Sequence, residues 1–372
     1  MSKPKLLWLN MSVFLLTFAV AAIAVPYRAI THGFESSEII AALICFIYCG
    51  MSITVGYHRL WSHRTYQAHW SLRFICALGG AFALQNSALH WSSDHRIHHK
   101  HVDKNGVDPY SAKKGFWFSH IGWMLRDYQP DRYNDYDNVR DLQKDKIVMW
   151  QHKNYLLLTL LMNFGVPILF GLFTGDIISS LILLGFLRLV LNHHTTFFIN
   201  SLAHIWGKQT YTDKNTARDN GFLAFLTFGE GYHNYHHIFE NDYRNGIRWY
   251  QFDPTKWLIK FCAFFKITSN LRTVPEDKIE KAKLAMVLKL SQEKLVSHPE
   301  AEKMHEKLQL EYDALMVKLN AFYSVKKALL IAKKDKLVDD VEHSELSKQY
   351  NDLKEKFVSQ KRAWQLLTQQ IA

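Results

Sequence analysis

The chain has 372 residues, of which 48% are hydrophobic and 14% aromatic, yet its mean hydropathy is only −0.15. This combination argues against one uniform globular domain and indicates long apolar segments that alternate with strongly polar ones. The formal net charge of +11 fits a surface that faces anionic lipid, an acidic electron carrier or a phosphate-bearing substrate, although a solvated basic tail would explain much of it. The cysteines show no spacing typical of a disulfide framework or a zinc ribbon, which favours a reducing compartment.

Four apolar segments are long enough to cross a bilayer, which takes about 20 residues. They lie at about residues 6–25, 39–57, 155–175 and 177–199. The one charged residue within these four segments is Arg188. A charged side chain is costly in lipid unless it faces protein or water. The first segment is too long for a signal peptide and no small-residue cleavage site follows it, so we predict four transmembrane helices, with a linker from Pro26 to Ser37 between the first two.

Three histidine clusters lie outside or at the ends of these segments. His58 and His63 follow the second segment, His95, His98 and His99 form the second cluster, and His233, His236 and His237 form the third. In the last two clusters the histidines occur at i, i+3 and i+4, which share one face of a helix. Residues five apart differ by about 140° on an ideal α-helix, so we expect His63 to lie beyond a helix break after His58.

The segment from Phe74 to Leu89 is apolar but short, and it separates the first two clusters. If both clusters belong to one site, this segment must dip into the membrane interface and return. Gln85 and Asn86 would then be well placed to meet a substrate. Lys and Arg are frequent between the second and third spans, so the positive-inside rule makes the histidine side cytoplasmic, together with both termini.

After Pro275 the composition shifts to Lys, Glu, Leu and Gln. Apolar residues recur there at steps of four and three: Leu308, Tyr312, Leu315, Leu319 and Phe322 in one set, and Leu346, Tyr350, Leu353, Phe357, Trp364, Leu367 and Ile371 in another. This pattern is typical of a helical hairpin or coiled coil, and equally of an ordinary amphipathic packing face. No chemistry is predicted in this tail.

The sequence therefore predicts an all-α membrane protein of two domains. Residues 1–275 form a membrane domain with four transmembrane helices and a cytosolic, histidine-rich catalytic cap, here defined as residues 58–153 and 200–275. Residues 276–372 form a charged, coiled-coil-like helical extension. The protein is expected to be multi-pass and integral to the membrane.

The histidines outnumber the four ligands of a tetrahedral zinc site, and imidazole also suits iron and copper. The candidate ligands, enough for two metals, are His58, His63, His95, His98, His99, His204, His233, His236 and His237. Asn200 could reach one metal through a water molecule. Glu230 could orient a ligand through its distal N–H or simply cap a helix. An all-nitrogen dinuclear site at a membrane interface suits O₂ activation by iron, where the metal carries the chemistry and the protein supplies position.

Four motifs resemble those of the integral-membrane fatty-acid desaturases, and specifically the Δ9 acyl-CoA (stearoyl-CoA type) branch. They are His58-Arg-Leu-Trp-Ser-His63, Asp94-His-Arg-Ile-His-His99, Asn200-Ser-Leu-Ala-His204 and Gly229-Glu-Gly-Tyr-His-Asn-Tyr-His-His237. The resemblance covers about residues 35–265. It implies two Fe ions held by the nine histidines, and the use of O₂ and two electrons to place a cis double bond in a saturated acyl chain during unsaturated fatty acid biosynthesis.

The resemblance also implies contacts to the CoA group from Asn86, Asp94 and Arg126. The match is incomplete, because Ser93 stands where animal members carry Arg and Arg126-Asp127 stands where they carry a basic pair. Acyl-CoA is therefore the expected substrate. An acyl chain carried by an acyl-carrier protein or linked to a lipid remains an alternative substrate. In the tail, Glu300-Ala301 follows His298-Pro299 in place of two glycines, so a fused cytochrome b5 haem motif is absent. We expect a separate electron donor of ferredoxin, rubredoxin or cytochrome b5 type, and no nucleic-acid partner.

Two other functions remain open from the residues alone. A membrane di-iron hydroxylase or methyl oxidase would carry similar histidine motifs, and product analysis would distinguish its alcohol from an alkene. A non-catalytic metal-binding membrane protein, such as a transporter, should hold its ligands near the middle of the membrane. The clusters of this chain lie at span ends and in loops, which argues against that reading.

Overall fold

The computed structural model describes residues 4–296, 299–335 and 340–371, and these fold almost entirely into helices. They form two compact units. The first contains residues up to 209 together with 214–273, and the second contains residues 210–213 together with the segment from 274 onward.

The helices and strands of the first unit are listed here in chain order. They are α1 (Trp8–Thr31), α2 (Ser36–Met51) with its π-helical continuation (Ser52–Ser62), β1 (Gln67–Ala68), α3 (Trp70–Phe82), α4 (Ala88–His101), α5 (Phe116–His120), α6 (Arg140–Gln143), α7 (Lys146–Lys153), α8 (Tyr155–Leu160), a π-helix (Leu161–Gly165), α9 (Val166–Thr174), α10 (Ile177–Ser180), a π-helix (Leu181–Leu187), α11 (Arg188–Asn200), α12 (Gly221–Leu226), α13 (His233–Ile238), α14 (Pro254–Phe264) and β2 (Thr268–Ser269). Short 3₁₀ turns cover Ala112–Lys114, Gly122–Met124, Pro130–Tyr133, Asp137–Val139 and Leu202–His204.

Four continuous helical segments are long and apolar enough to cross a membrane. These spans are Trp8–Thr31, Ser36–Ser62, Tyr155–Thr174 and Ile177–His204. The shortest has 20 residues, and 20 residues at about 1.5 Å each match the thickness of a bilayer's hydrocarbon core. The prediction of an all-helical, four-span integral membrane protein is confirmed.

The first span is longer than the sequence predicted, because α1 continues through Pro26 to Thr31. Its last turns are held by the start of the fourth span and by Asp176, which directly precedes it. Arg28 Nε donates to Ser179 Oγ at 2.8 Å, and the Arg28 guanidinium pairs with Asp176. The predicted linker beginning at Pro26 was therefore wrong. Tertiary contacts to Arg28 offset the hydrogen bond that proline removes from a helix.

The second span does not break between His58 and His63, contrary to the expectation. The segment Ser52–Ser62 is a π-helix, in which each turn is closed by a hydrogen bond between residues five apart. His63 N accordingly donates to His58 O at 3.1 Å, and the two rings lie 4.9 Å apart. The geometric argument failed because it assumed α-helical rotation. Every residue of this segment is buried, so packing on all sides supports the rarer helix.

The chain returns to the same end of the spans through α3, a helix of 13 residues that is too short to cross. Gly79 and Gly80 let α3 pack closely on the second span, because a Cβ there would overlap Ser52 and Tyr57. Beyond α3, Leu84 and Asn86 adopt left-handed backbone conformations with φ of 51° and 75°. This turn redirects the chain into α4, which brings the second histidine cluster beside the first.

The second unit consists of α15 (Glu276–Leu295), α16 (Ala301–Asp335) and α17 (Asp340–Gln370). The long helices α16 and α17 pack along each other, and α15 packs on α16. Their shared core contains Leu308, Leu315, Leu319, Phe357 and Trp364. The apolar pattern of the tail is thus a helix-packing pattern, as predicted.

Candidate metal centre

The nine predicted histidines converge from four separate segments into two groups. The first group is His58, His63, His95, His99 and His236, and the second is His98, His204, His233 and His237. Within each group one nitrogen of every ring lies within 4.8 Å of those of the others. The four segments are the π-helix of the second span with the residue that follows it, α4, the 3₁₀ turn at the end of the fourth span, and α13.

The spacing in α4 and α13 explains how two helices serve both groups. In α4, His95 and His99 are one turn apart and belong to the first group, whereas His98 belongs to the second. In α13 the division is reversed, because His233 and His237 belong to the second group and His236 to the first. Relative to residue i, residues i+3 and i+4 are rotated by about 60° in one direction and about 40° in the other, so each triplet divides between two adjacent positions.

The distances between facing Nε2 atoms match those of ligands around a metal ion. The pairs are His63–His95 at 2.8 Å, His58–His236 at 2.9 Å, His99–His236 at 3.1 Å, His233–His237 at 3.0 Å, His204–His233 at 3.1 Å and His98–His237 at 3.3 Å. Two imidazole nitrogens bound at about 2.1 Å and at right angles would lie about 3 Å apart. The donor set therefore fits metal ions in both groups.

Carboxylates on the other side of the rings support the same interpretation. The Nδ1 atoms of His58, His98 and His99 lie 2.9, 2.9 and 3.0 Å from Glu230, Asp108 and Glu240, respectively. An ionised carboxylate only accepts hydrogen bonds, so the Nδ1 atoms carry the protons and the Nε2 atoms present lone pairs to the interior. His236 Nε2 could donate one proton to either His58 or His99, but not to both. A cation satisfies all three nitrogens, and this carboxylate–imidazole arrangement is typical of metal sites.

Burial also keeps these imidazoles in the form that binds metal. It lowers the pKa of His99 to about 4, although the hydrogen bond to Glu240 opposes that shift. Burial, followed by repulsion from neighbouring imidazoles, places the pKa values of His63 and His95 well below the usual range. These side chains are therefore neutral near neutral pH, and neutral imidazole is the ligand that metals require.

Glu230 links the first group to a buried ion-pair network. Arg59 is 1% exposed, and its Nη2 donates to Glu230 Oε1 at 2.9 Å. The Nη1 atom of the same guanidinium lies 3.0 Å from Asp253 Oδ1. Asn245 Nδ2 donates to Glu230 Oε2 at 2.6 Å. The sequence singled out Glu230 but not its partners, because Asp253 and Asn245 come from a later loop. Of the members of this network, Arg59 could have been noticed in the sequence, because it directly follows His58.

The backbone at Gly231 explains why the third cluster needs glycine. A Cβ at this position would lie 2.6 Å from Asn220 O and closer still to Ala224 N, and neither backbone atom can move easily. We expect Gly231→Ala to shift the segment that carries His233 and to destabilise the protein by about 1–3 kcal/mol, as overpacking usually does. Thermal unfolding and metal content of the purified protein would test this. Gly165→Ala, where a Cβ meets nothing within 4 Å, is the control and should behave like the wild type.

A mainly apolar cavity of about 820 Å³ borders the first histidine group. Residues of all four spans line it, and His58 and His95 border it together with Glu230 and Asn200. This volume is within the usual range of about 300–1,000 Å³ for small-molecule sites.

Three of the four predicted substrate contacts, Gln85, Asn86 and Asp94, line this cavity. Gln85 Nε2 donates to Thr196 Oγ1 at 2.8 Å, which fixes its amide. Arg126 is missing from the described residues that line the cavity. Its NH1 donates to Pro4 O at 2.9 Å, so its contact with substrate stays a prediction.

Sequence reasoning missed Arg132, which lies at the cap end of the cavity. Its Nε lies 3.4 Å from Asp94 Oδ1, and its side chain is only 9% exposed. The guanidinium stacks 5.1 Å from the Trp123 ring and 4.9 Å from the Tyr133 ring. Arg132 belongs to a stretch with many charged residues, and only its burial distinguishes it from its neighbours.

The sequence of the chain also matches known proteins. The family model described as fatty acid desaturase matches residues 37–268. A probable acyl-CoA desaturase of Schizosaccharomyces pombe is 46% identical over 268 residues, which are 72% of this chain and 55% of the relative. Acyl-CoA desaturase 1 of Saccharomyces cerevisiae is 46% identical over 234 residues, which are 63% of this chain and 46% of the relative. Stearoyl-CoA desaturase 5 of Bos taurus is 34% identical over 288 residues, covering 76% and 84% of the two chains. The chain thus spans about half the length of the two yeast relatives.

Proposed function

The chain belongs to the fatty acid desaturase family, and on that premise we propose that it is an O₂-dependent acyl-CoA desaturase. The reaction is the insertion of a cis double bond, at the Δ9 position, into a saturated acyl chain for unsaturated fatty acid biosynthesis. Two adjacent histidine groups, of which the first borders an apolar cavity, carry this proposal, and residues 1–275 form the catalytic domain. The names of the yeast and bovine relatives support the substrate class.

We propose that the metals are two Fe ions, held by the five imidazoles of the first group and the four of the second. Asn200 would reach one of the metals through a water molecule. Iron with O₂ and two electrons supplies the oxidising power that removal of hydrogen from an unactivated C–H bond needs, which no side-chain acid or base can supply.

The residues of the chain position the reactants. Glu230, Asp108 and Glu240 fix the tautomer and orientation of three ligand rings. The apolar lining of the cavity holds the acyl chain and excludes water. A hydrogen bond to Thr196 fixes Gln85 beside the acyl chain. We assign contacts with the CoA group to Asn86, Asp94 and Arg126. To these residues we add Arg132, whose side chain is only 9% exposed.

The orientation and the electron donor are also part of the proposal. The segment between the second and third spans is rich in Lys and Arg, and by the positive-inside rule this supports a cytoplasmic location for the cap and both termini. A separate ferredoxin, rubredoxin or cytochrome b5 type donor with an acidic surface would be attracted to a chain whose formal net charge is +11.

Product analysis tests the function directly. A host that expresses the chain and receives a saturated fatty acid should accumulate a new cis monoene, with the double bond located at Δ9 by mass spectrometry. A hydroxylated product instead would make the protein a hydroxylase of the same metal class. Unchanged fatty acids, with metal bound and with each donor type and acyl carrier supplied in turn, would favour a non-catalytic metal-binding protein.

A further inference from the structure

The wall of the cavity is open between the first and third spans. Leu9 and Leu16 of the first span line the cavity, as do Leu156 and Leu160 of the third span. The same four side chains are 77%, 62%, 73% and 49% exposed, respectively. They therefore face the interior of the site and the surrounding membrane at once, and form the rim of an opening that we name the lateral window.

The cap end of the cavity is polar by contrast. Arg132 lies there, with its guanidinium against the rings of Trp123 and Tyr133 and against Asp94. Both members of the Arg132–Asp94 pair have side chains that are less than a tenth exposed. A long acyl chain threaded from the cap would have to pass this buried ion pair, whereas the rim of the lateral window is formed by four leucines.

The helix α1, which forms one side of the lateral window, is held in place at both of its ends. Near the cap, Leu7 N donates to Leu125 O at 3.0 Å and Asn10 Nδ2 donates to Met124 O at 2.9 Å. At the far end Arg28 pairs with Asp176. Leu9 and Leu16 are seven residues apart, so the opening runs for about 10 Å along the helix. It therefore lies at the depth of the acyl chains in the leaflet next to the cap.

We propose that an acyl chain dissolved in this leaflet moves sideways into or out of the catalytic cavity through the lateral window, while its polar head stays at the cap surface. A polar ligand would lose its hydration at this depth without finding partners among the leucines, so a lipid acyl chain is the occupant that the lining fits. This inference rests on the proposed function, and it adds that the substrate or product is exchanged directly with the bilayer.

A photoreactive lipid tests the window without any turnover. The purified full-length protein is placed in phosphatidylcholine nanodiscs that contain a small fraction of phosphatidylcholine with a diazirine in the middle of one acyl chain. After irradiation, labelled residues are located by mass spectrometry. We expect labels on the interior residues Leu189 and Phe197, which line the cavity and are buried from the outer surface.

Variants at the rim give a matched comparison. Leu16→Trp combined with Leu160→Trp should fill the opening and reduce interior labelling about tenfold, which corresponds to about 1.4 kcal/mol of lost access. Leu15→Trp combined with Leu157→Trp changes two neighbours that are 66% and 56% exposed but do not line the cavity. This control should leave interior labelling unchanged.

Two results would overturn the proposal: wild-type protein labelled only on its outer surface, or equal loss of interior labelling in both double variants. The wild-type pattern decides even if the rim variants fold poorly. Failure of the proposed function would look different, because interior labels would persist while no new alkene formed in the host.

Discussion

His98→Ala is expected to reduce product formation by at least about 100-fold, since even the loss of an outer partner of a metal ligand costs 10–100-fold. His98 is buried, its Nδ1 lies 2.9 Å from Asp108, and its Nε2 lies 3.3 Å from His237 Nε2. Alanine leaves the second group with three imidazoles, whereas the first group keeps all five. Metal analysis should therefore show selective loss from one of two positions, while the protein remains folded in the membrane.

His101→Ala is the matched control for this experiment. His101 lies three residues further along α4, outside both histidine groups. This variant should retain metal and activity, which would separate loss of a ligand from general damage to the helix. Wild-type product formation by His98→Ala would show that His98 is not a ligand.

Glu230→Gln is expected to weaken metal binding about 10–100-fold, because Glu230 orients His58 from the side opposite the metal. The same change removes one of the two carboxylates that neutralise the buried Arg59. Breaking a buried ion pair in this way costs up to about 3–5 kcal/mol. A chelator titration and the thermal unfolding temperature would measure the two effects separately.

Glu240→Gln provides the comparison for Glu230→Gln. Glu240 contacts His99 Nδ1 at 3.0 Å, but its side chain is 45% exposed. Water can replace much of its interaction, so its loss should change stability by less than about 1 kcal/mol. If both variants lost stability equally, the Arg59 network would not be the cause of the effect at Glu230.

The i, i+3, i+4 spacing was enough to predict that the three histidines of each of the last two clusters share a helix face, because this pattern is a property of the local helix. Their division into two groups was not predictable, since it depends on how α4 faces α13. The π-helix at His58 was missed for a similar reason. Its hydrogen-bond pattern is less favourable in isolation and exists here because every residue of the segment is packed.

The positions of charged residues were harder to predict than those of the apolar spans. Composition identifies a segment of 20 apolar residues regardless of its partners, and all four spans were found. Arg132 and Glu240, by contrast, lie among other charged residues, and their contacts to Asp94 and His99 arise only after folding. The extension of α1 beyond Pro26 likewise depends on Asp176, which is distant in the sequence.

The reciprocal division of donors between α4 and α13 makes the separation of the two histidine groups a property of helix pitch. Each helix supplies both groups from positions fixed at about 1.5 Å of rise and 100° of rotation per residue. The long loops between the clusters can therefore change in length without altering the spacing between the two histidine groups. A single residue inserted within either triplet would turn its later histidines away from both groups at once. The two helices together fix the positions of the ligands. Insertions in the loops beyond their ends are therefore tolerated, whereas insertions within the triplets are not.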